Sequence, residues 1–348
     1  MDIREFQYDL PPHLIAQHPS EKRDHSRLMI LDRRSGRIRH RVFFEIVKEI
    51  RTGDVLVVND TRVIKAKLPG QKKTKGRVEV LLTKRLQSES PDEEIWNCLV
   101  RSSKKPHPGT IIHFHPDLSG EVLAGAEGVW TIRLRSRGEF RQVLERVGRM
   151  PLPPYIKRRN GTDLQEDRQR YQTIFARKEG AIAAPTAGLH FTPSLISEIQ
   201  RAGVSIVSLT LHIGVGTFLP VRTAKIEEHH MHEETFHIPA EAAATINRVK
   251  REGGRIIAVG TSMTRALESS VDAHGQVVPG HEETNLFIYP PFRFRLVDAL
   301  VTNFHLPGST LVMLVSAFAE KDLIFQAYEE AVNQGYRFYS YGDAMMIV

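Results

Sequence analysis

The sequence has only one cysteine, Cys98, among its 348 residues. A single cysteine excludes an intramolecular disulfide and any cysteine-rich zinc or iron–sulfur site, as is typical of proteins in a reducing cytosol. The longest apolar stretch, from Leu311 to Val315 and past Ser316 to Ala319, is far shorter than the ~18 residues that a membrane helix needs. The first thirty residues are rich in charge and lack the apolar core of a signal peptide. We therefore expect a cytoplasmic protein without a membrane segment.

Positive charge is concentrated in two segments of the chain. The formal net charge is +7, but residues 62–85 carry nine Lys or Arg against one acid, and residues 133–159 carry nine against two. A single basic run often forms nothing more than a solvated face. Because two such runs flank one candidate domain, we expect a surface that binds a polyanion such as RNA. The predicted RNA-binding residues are Lys72, Lys73, Lys75, Arg77, Arg158 and Arg159.

The middle of the chain is predicted to form an all-β unit. A buried strand at Val55–Val58 is followed by short strand-like runs between turns, and no helical pattern occurs before Glu139–Val147. These runs are Val63–Leu68, Arg77–Thr83, Ile95–Arg101, Thr110–Phe114, Gly120–Ala124 and Gly128–Leu134. The pattern predicts a barrel-like domain over residues 61–150 that ends in a proline-rich linker.

Strands and helices alternate after this linker, which is typical of an α/β layer structure. The predicted strands are Val204–Leu211, Arg255–Val259, Asn285–Tyr289, Val297–Val301 and Ala344–Val348. The predicted helices are Ser194–Ala202, Pro239–Glu252, Met263–Ser269, Ser309–Phe318 and Leu323–Val332. We therefore predict a layered α/β main domain built from both chain ends, residues 1–60 and 151–348, with the all-β barrel-like domain inserted between them.

Three separated segments each place a histidine beside small or turn-forming residues at the end of an apolar run. They are residues 184–191 with His190, residues 211–218 with His212 and residues 302–307 with His305. Small residues let a ligand approach the backbone, and the pKa of histidine suits proton transfer near neutral pH. One such histidine is most often a hydrogen-bonded residue at a turn, but three of them favour a functional site.

Several polar positions near predicted strand ends are further site candidates. Gly260-Thr261-Ser262 ends a strand and begins a helix, so its amides either bind an anion or are capped by its own hydroxyls. Asp60 and Arg62 either recognise a substrate or form an ion pair at the domain boundary. Asp343 either takes part in the site or caps a turn.

The stretch around His232 contains four histidines, but we do not expect it to bind a metal. The glutamates at positions 227, 228, 233 and 234 indicate a charged surface segment, and no second ligand cluster is evident. The small residues of 181–188 and the pair Gly214 and Gly216 offer room either for a flat ring or for close packing of strand against helix.

Many ordered strings in the sequence resemble those of the S-adenosylmethionine:tRNA ribosyltransferase-isomerases of queuosine biosynthesis. Beyond the three histidine segments, the matching strings are residues 8–11, 15–19, 59–64, 153–156, 167–168, 231–232, 336–338 and 340–345. The resemblance runs nearly end to end. It implies an α/β domain with an inserted β-barrel, which agrees with the fold predicted from the pattern.

The resemblance also implies an activity. The ribosyl part of S-adenosylmethionine is transferred to the aminomethyl nitrogen of 7-aminomethyl-7-deazaguanine at the tRNA wobble position, in the anticodon region, and rearranged to epoxyqueuosine, releasing adenine and methionine. S-adenosylmethionine is then a substrate, and no permanently bound cofactor or metal is expected. We expect a monomer. The alternatives are an S-adenosylmethionine-dependent RNA methyltransferase and a non-enzymatic RNA-binding module.

The resemblance suggests roles for named residues. The acid/base candidates are His212 and His190, with Asp60 and Asp343 as polar partners. The predicted substrate-binding residues are Arg62, Thr186, Gly188, Gly214, Gly216, Thr217, His232, Gly260, Thr261, Ser262, Arg265, Glu268, Asn303, His305 and Tyr341. The chain departs from the family pattern at Glu233, at 262–264 and at Gly308, which leaves the roles of these side chains open.

Overall fold

The computed structural model describes residues 1–126, 128–158, 165–214, 216, 221 and 223–348, without the side chains of residues 87–89. The strands are β1 (Arg27–Leu31), β2 (Ile38–Val42), β3 (Val55–Asn59), β4 (Thr61–Val63), β5 (Lys67–Lys72), β6 (Arg77–Ser90), β7 (Glu93–Ser102), β8 (Ile111–His115), β9 (Leu118–Ala126), β10 (Val129–Ser136), β11 (Lys178–Ala181), β12 (Ser205–Leu211), β13 (Glu234–Ile238), β14 (Ile256–Val259), β15 (Gly280–Thr284), β16 (Ala299–Asn303) and β17 (Ala344–Ile347). The α-helices are α1 (Phe140–Val147), α2 (Gln165–Arg170), α3 (Pro193–Arg201), α4 (Ala240–Arg251), α5 (Thr261–Ser269), α6 (Thr310–Ala319) and α7 (Lys321–Asn333).

A large mixed sheet forms the main domain. Its strand order in the described part of the chain is β15-β13-β12-β3-β14-β16-β17-β1-β2. The central strands β12, β3, β14 and β16 are parallel. The strands β13 and β15 run against their neighbours, and β17 is antiparallel to β16 but parallel to β1. The continuous apolar run of β3 fits its central place, because a parallel strand is covered on both faces.

Both faces of this sheet are buried. Val55 and Val57 of β3 pack into a core formed largely by α4, α5, α6 and α7, while Leu56 and Val58 pack into a second core that includes residues of α3. Alternation of side chains along the strand sends neighbouring residues to opposite faces. The main domain therefore has helices on both sides of one sheet.

The strands β5 to β10 close into an antiparallel barrel in the order β10-β7-β6-β5-β8-β9. Its interior is an apolar cluster of its own that includes Leu68, Trp96 and Ile132, and α1 packs against it. The predicted fold class, a layered α/β domain with an inserted barrel, is confirmed.

Two predicted strands differ from the structure. The run Val63–Leu68 is divided: Val63 pairs with β11 in a separate two-stranded sheet, whereas Lys67 already pairs inside the barrel. The run Asn285–Tyr289 is not a strand. β15 ends at Thr284, and the Leu286 carbonyl accepts a hydrogen bond from the Arg265 guanidinium.

None of the helices in the described ranges is long and apolar enough to cross a membrane.

Candidate active site

The parallel strands bring their carboxyl ends to one edge of the sheet. There β3 ends at Asn59, β12 at Leu211, β14 at Val259 and β16 at Asn303. Ligands of open α/β sheets bind beyond this edge, because the loops and helix starts that follow the strands converge on it. Residues that are far apart in the sequence, such as Asp60, His212 and Gly260, are therefore collected in one region.

The first cavity at this edge lies against the start of α5, and we call it the α5 cavity. Gly260 begins the helix with φ +93°, a conformation that favours glycine, and no side chain in the described ranges caps the first turn. The alternative explanation of the Gly260-Thr261-Ser262 motif was that the Thr261 or Ser262 hydroxyl caps the start of this helix. The exposed amides and the positive end of the helix dipole instead suit an anion. The predicted site residues that line this cavity are Thr186, Gly260, Thr261, Ser262, Arg265, Asn303 and His305.

Asn303, which lines this cavity, has an unsatisfied polar atom. The residue is 2% exposed, and its Nδ2 lies 3.3 Å from His190 Nε2 and donates to the Tyr339 carbonyl at 3.1 Å. Its Oδ1 is buried and has no hydrogen-bond partner in the described part of the chain. A buried carbonyl oxygen without a donor is costly, so this atom is well placed to bind an N–H group of a ligand.

His190 and His305 are buried supports of this cavity. His190 Nδ1 lies 2.7 Å from Ser26 Oγ, and its ring stacks on Phe43. His305 Nε2 lies 2.7 Å from Thr302 Oγ1. Burial lowers the pKa of each histidine to about 3, with the positive charges of Arg337 and Arg23 adding to the effect at His190. With a pKa of about 3 each ring is too weak a base to take up a proton near pH 7, which favours a positioning role over proton transfer.

His212 lies on a second cavity, of about 600 Å³, between the main sheet and the barrel, which we call the interdomain cavity. Its Nδ1 is 2.8 Å from Thr61 Oγ1. Gly180 packs against the ring so closely that a Cβ at this position would lie 2.9 Å from it. Burial lowers the pKa of His212, and the charge of Asp60 opposes this shift. His212 is therefore a fixed, half-buried and mainly neutral imidazole.

Arg62 is exposed and lines the interdomain cavity, whereas Asp60 is buried and accepts a hydrogen bond from Thr210 Oγ1 at 2.6 Å. No ion pair joins Asp60 to Arg62 in the part of the chain that the structure describes, so the ion-pair alternative for these residues is wrong. The charge of Asp60 acts on His212 instead.

Glu234 is a site residue that sequence reasoning missed. The surface segment predicted around it is exposed at His232 and Glu233, but Glu234 itself is only 6% exposed. It accepts a hydrogen bond from the Gly214 amide at 3.0 Å and forms a buried ion pair with Arg265. The available signal was the alternation of β13, in which Glu234, Phe236 and Ile238 share one face of the strand. Because Phe236 and Ile238 are apolar, this alternation could have indicated that Glu234 also points into the protein.

The side chains of three other predicted site residues form hydrogen bonds within the protein. Glu268 accepts hydrogen bonds from the amides of 295–297, and Asp343 accepts them from the amides of Arg27 and Arg337. The Tyr341 hydroxyl donates to Asp167. These contacts stabilise the loops behind the α5 cavity, and none of the three side chains lines either cavity.

Of the predicted glycine sites, Gly214 lines a cavity, whereas Gly188 and Gly216 pack against side chains. Gly188 packs near Thr173, where a Cβ would lie 2.9 Å from the threonine methyl, and Gly214 lines the interdomain cavity. Gly216 lies under the ring of His232. Thr217 lies outside the described residues.

The predicted RNA-binding residues fall into two groups. Lys73, Lys75 and Arg77 are exposed at the turn between β5 and β6, and the partly buried Lys72 donates to the Lys104 carbonyl. Arg77 also lines an open cleft of about 1390 Å³ between the barrel and residues 149–158, where further cationic residues are Lys67, Arg101, Arg149 and Arg158.

Arg158 differs from this group. Its side chain is 8% exposed and forms a two-point ion pair with the buried Asp167. Asp167 thus holds the guanidinium, but Arg158 also lines the cleft that contains Arg77, and its contact with RNA stays a prediction. Arg159 lies outside the described residues.

The fold and the site define an α/β protein with an inserted β-barrel and two adjoining cavities at the strand ends, an architecture suited to bringing two ligands together. The chain belongs to the family of queuosine biosynthesis proteins, whose family model matches residues 3–347. The resemblance that the sequence motifs indicated is confirmed.

Relatives in this family are similar over the whole chain. A protein of Geotalea uraniireducens is 51% identical and one of Carboxydothermus hydrogenoformans is 50% identical, each over 100% of both chains, and both are described as S-adenosylmethionine:tRNA ribosyltransferase-isomerases. The crystal structure of an S-adenosylmethionine tRNA ribosyltransferase from Thermotoga maritima is similar over 99% of this chain and 100% of that one, with 38% identity and a TM-score of 0.54.

Proposed function

We propose that this protein is an S-adenosylmethionine:tRNA ribosyltransferase-isomerase. It transfers the ribosyl part of S-adenosylmethionine to the aminomethyl nitrogen of 7-aminomethyl-7-deazaguanine at the tRNA wobble position and rearranges it to epoxyqueuosine, releasing adenine and methionine. Full-length relatives of about 50% identity carry this description. The observation that supports it in the structure is the pair of adjoining cavities, because a transfer reaction must hold a donor and an acceptor side by side.

The α5 cavity is the proposed donor site. The amides at the start of α5 bind the methionine carboxylate, since a helix start of this kind stabilises negative charge. The unpartnered Oδ1 of Asn303 accepts an N–H of the donor, and the neutral rings of His190 and His305 hold the surrounding backbone and side chains in place. S-adenosylmethionine is consumed here as a substrate.

His212 is the proposed base on the acceptor side. The positive sulfur of the donor acidifies the protons on the adjacent carbon, so a neutral imidazole is basic enough to remove one of them without a metal. Thr61 engages Nδ1, and Nε2 has no protein partner in the described part of the chain. Asp60 favours the imidazolium that forms when His212 takes the proton.

The exposed cations of the β5–β6 turn and the adjacent cleft are the proposed contact surface for the tRNA backbone. The predicted cytoplasmic location, monomeric state and lack of a permanently bound cofactor belong to the same proposal. The predicted division into residues 1–60, 61–150 and 151–348 is also part of it. The barrel strands β5 to β10 run from Lys67 to Ser136, within the middle segment.

Product analysis tests this function directly. The protein is incubated with S-adenosylmethionine and tRNA that carries the aminomethyl base, after exhaustive chelation of metals. Adenine, methionine and a modified tRNA are expected in equal amounts. S-adenosylhomocysteine among the products would support an RNA methyltransferase instead, and RNA binding without any turnover would support a simple binding module.

A further inference from the structure

Glu234 is a buried anion with unused hydrogen-bonding capacity. An ionised carboxylate can accept about four hydrogen bonds. In the described residues, Oε1 accepts from the Gly214 amide and Oε2 pairs with Arg265, so each oxygen retains a second lone pair. Arg265 is fixed in turn by the Leu286 and Thr284 carbonyls. The carboxylate is therefore rigidly placed on the sheet edge.

The position of Glu234 relative to the two cavities is informative. Within the described residues, only Ile213 and Glu234 line both the α5 cavity and the interdomain cavity. Ile213 is apolar, so Glu234 supplies the charged group at the junction. The junction also adjoins His212, because Gly214, whose amide Glu234 binds, is two residues further along the chain.

The other carboxylates of the interdomain cavity are less suited to a cationic ligand. Glu94, on the barrel wall, is buried but already binds Trp96 Nε1 at 2.8 Å and Arg85 at 2.8 Å, and it does not reach the α5 cavity. The remaining carboxylates are all exposed to solvent, where a charge contributes little to binding: Glu145, Glu179, Glu233 and Glu283.

We propose that the Glu234 carboxylate binds the primary amine of the acceptor base at the junction of the two cavities. This inference rests on the proposed function. The amine reaches the donor only where the cavities meet, and a carboxylate there forms a charge-assisted hydrogen bond with the protonated amine. The acceptor base then lies in the interdomain cavity, with its aminomethyl arm directed toward the α5 cavity.

The test compares two acceptors in equilibrium binding. One is a tRNA anticodon stem-loop with the aminomethyl base, and the other is the same RNA with a nitrile in place of the aminomethyl group. The wild-type protein should bind the amine form more tightly by a factor on the order of 10 to 100, as expected for one charge-assisted hydrogen bond. Glu234→Gln should remove most of this preference while retaining the contact with the Gly214 amide.

The matched control is Glu282→Gln, an exposed carboxylate on the neighbouring strand β15 that lines neither cavity, and it should keep the full preference. An unchanged preference for the amine in Glu234→Gln overturns the inference. If that variant does not fold, Glu234→Asp replaces it. The shortened carboxylate should lower the preference by about tenfold, and an unchanged preference would again overturn the role of Glu234.

The ratio of two affinities in one variant cancels a general loss of stability, so a merely structural ion pair with Arg265 would not change it. The result of this binding test can also be distinguished from a failure of the proposed function. A wild-type protein that releases no adenine contradicts the function, whereas normal wild-type turnover with an unchanged ratio in Glu234→Gln contradicts only the amine contact.

Discussion

Replacement of His212 is the perturbation with the largest expected effect on turnover. The residue is held at three points: its backbone amide donates to the Thr235 carbonyl, the ring Nδ1 lies 2.8 Å from Thr61 Oγ1, and Gly180 packs against the ring. Burial lowers the pKa of the imidazole below its usual 6.5. His212 is therefore largely unprotonated at pH 7 and can accept a proton directly.

The expected size follows from this role. His212→Ala should reduce kcat by ~10²–10⁴-fold, the range for a lost general base, which corresponds to about 3–5 kcal/mol of transition-state stabilisation. Because the side chain is half-buried at a cavity wall, the melting temperature should change little. In the wild type, protonation of His212 should lower kcat/KM only as the pH drops below its lowered pKa, which lies below 6.5. Release of adenine from S-adenosylmethionine in the presence of the modified tRNA measures both quantities.

One further variant separates the possible roles of the His212 ring, and a second variant serves as its control. His212→Gln retains hydrogen bonding but cannot transfer a proton near neutral pH, so it should be as impaired as His212→Ala. His237→Ala is the matched control, since His237 lies on the adjacent strand β13, stacks on His281 and lines neither cavity. Near-normal turnover in His212→Gln would refute proton transfer, and an unfolded His212→Ala would make this residue a structural histidine.

Three other predictions address positioning, RNA binding and stability. Gly180→Ala should lower kcat about tenfold or more, because a Cβ 2.9 Å from the His212 ring displaces it; kinetics at the wild-type rate would contradict this packing. The double variant Lys73→Glu and Arg77→Glu should weaken tRNA binding and lower the slope of log Kd against log salt by about one per lost phosphate contact, with unchanged S-adenosylmethionine affinity. Arg251→Glu, on the exposed face of α4, is its control, and equal tRNA affinity in both would exclude the turn as an RNA contact. His190 and His305 have folded pKa values of about 3, below the unfolded value of 6.5, so the unfolded chain binds more protons between these limits. The free energy of unfolding should therefore be highest above pH 6.5 and fall on acidification by up to about 1.4 kcal/mol per pH unit for each histidine. Thermal melts from pH 7.5 to 5 measure this slope, which His190→Gln should reduce, and a flat profile would show that these rings are not buried as neutral groups.

Much of the architecture could be predicted from local patterns. The apolar run of β3 and the short strands with regular turns after it indicated a central strand and a barrel, because periodicity and turn residues reflect local backbone preference and burial. The Gly-Thr-Ser sequence after Val259 correctly indicated a strand that passes directly into a helix. Such signals are contained within a few neighbouring residues, so no knowledge of distant contacts is needed to recognise them.

The sequence by itself therefore determined the fold class, the family and the placement of His212 and Gly260 at strand ends. Only the tertiary structure decided which charges are buried and what they contact. Glu234 is one of several glutamates in its segment, and it is buried because Arg265, 31 positions later, meets it across the sheet edge. Arg158 lies in a basic run, but its guanidinium pairs with the buried Asp167. The pKa values of His190 and His305 likewise depend on desolvation by side chains from distant parts of the chain. Burial and charge pairing are properties of the assembled core, and a linear pattern specifies them only when the partners are near in sequence.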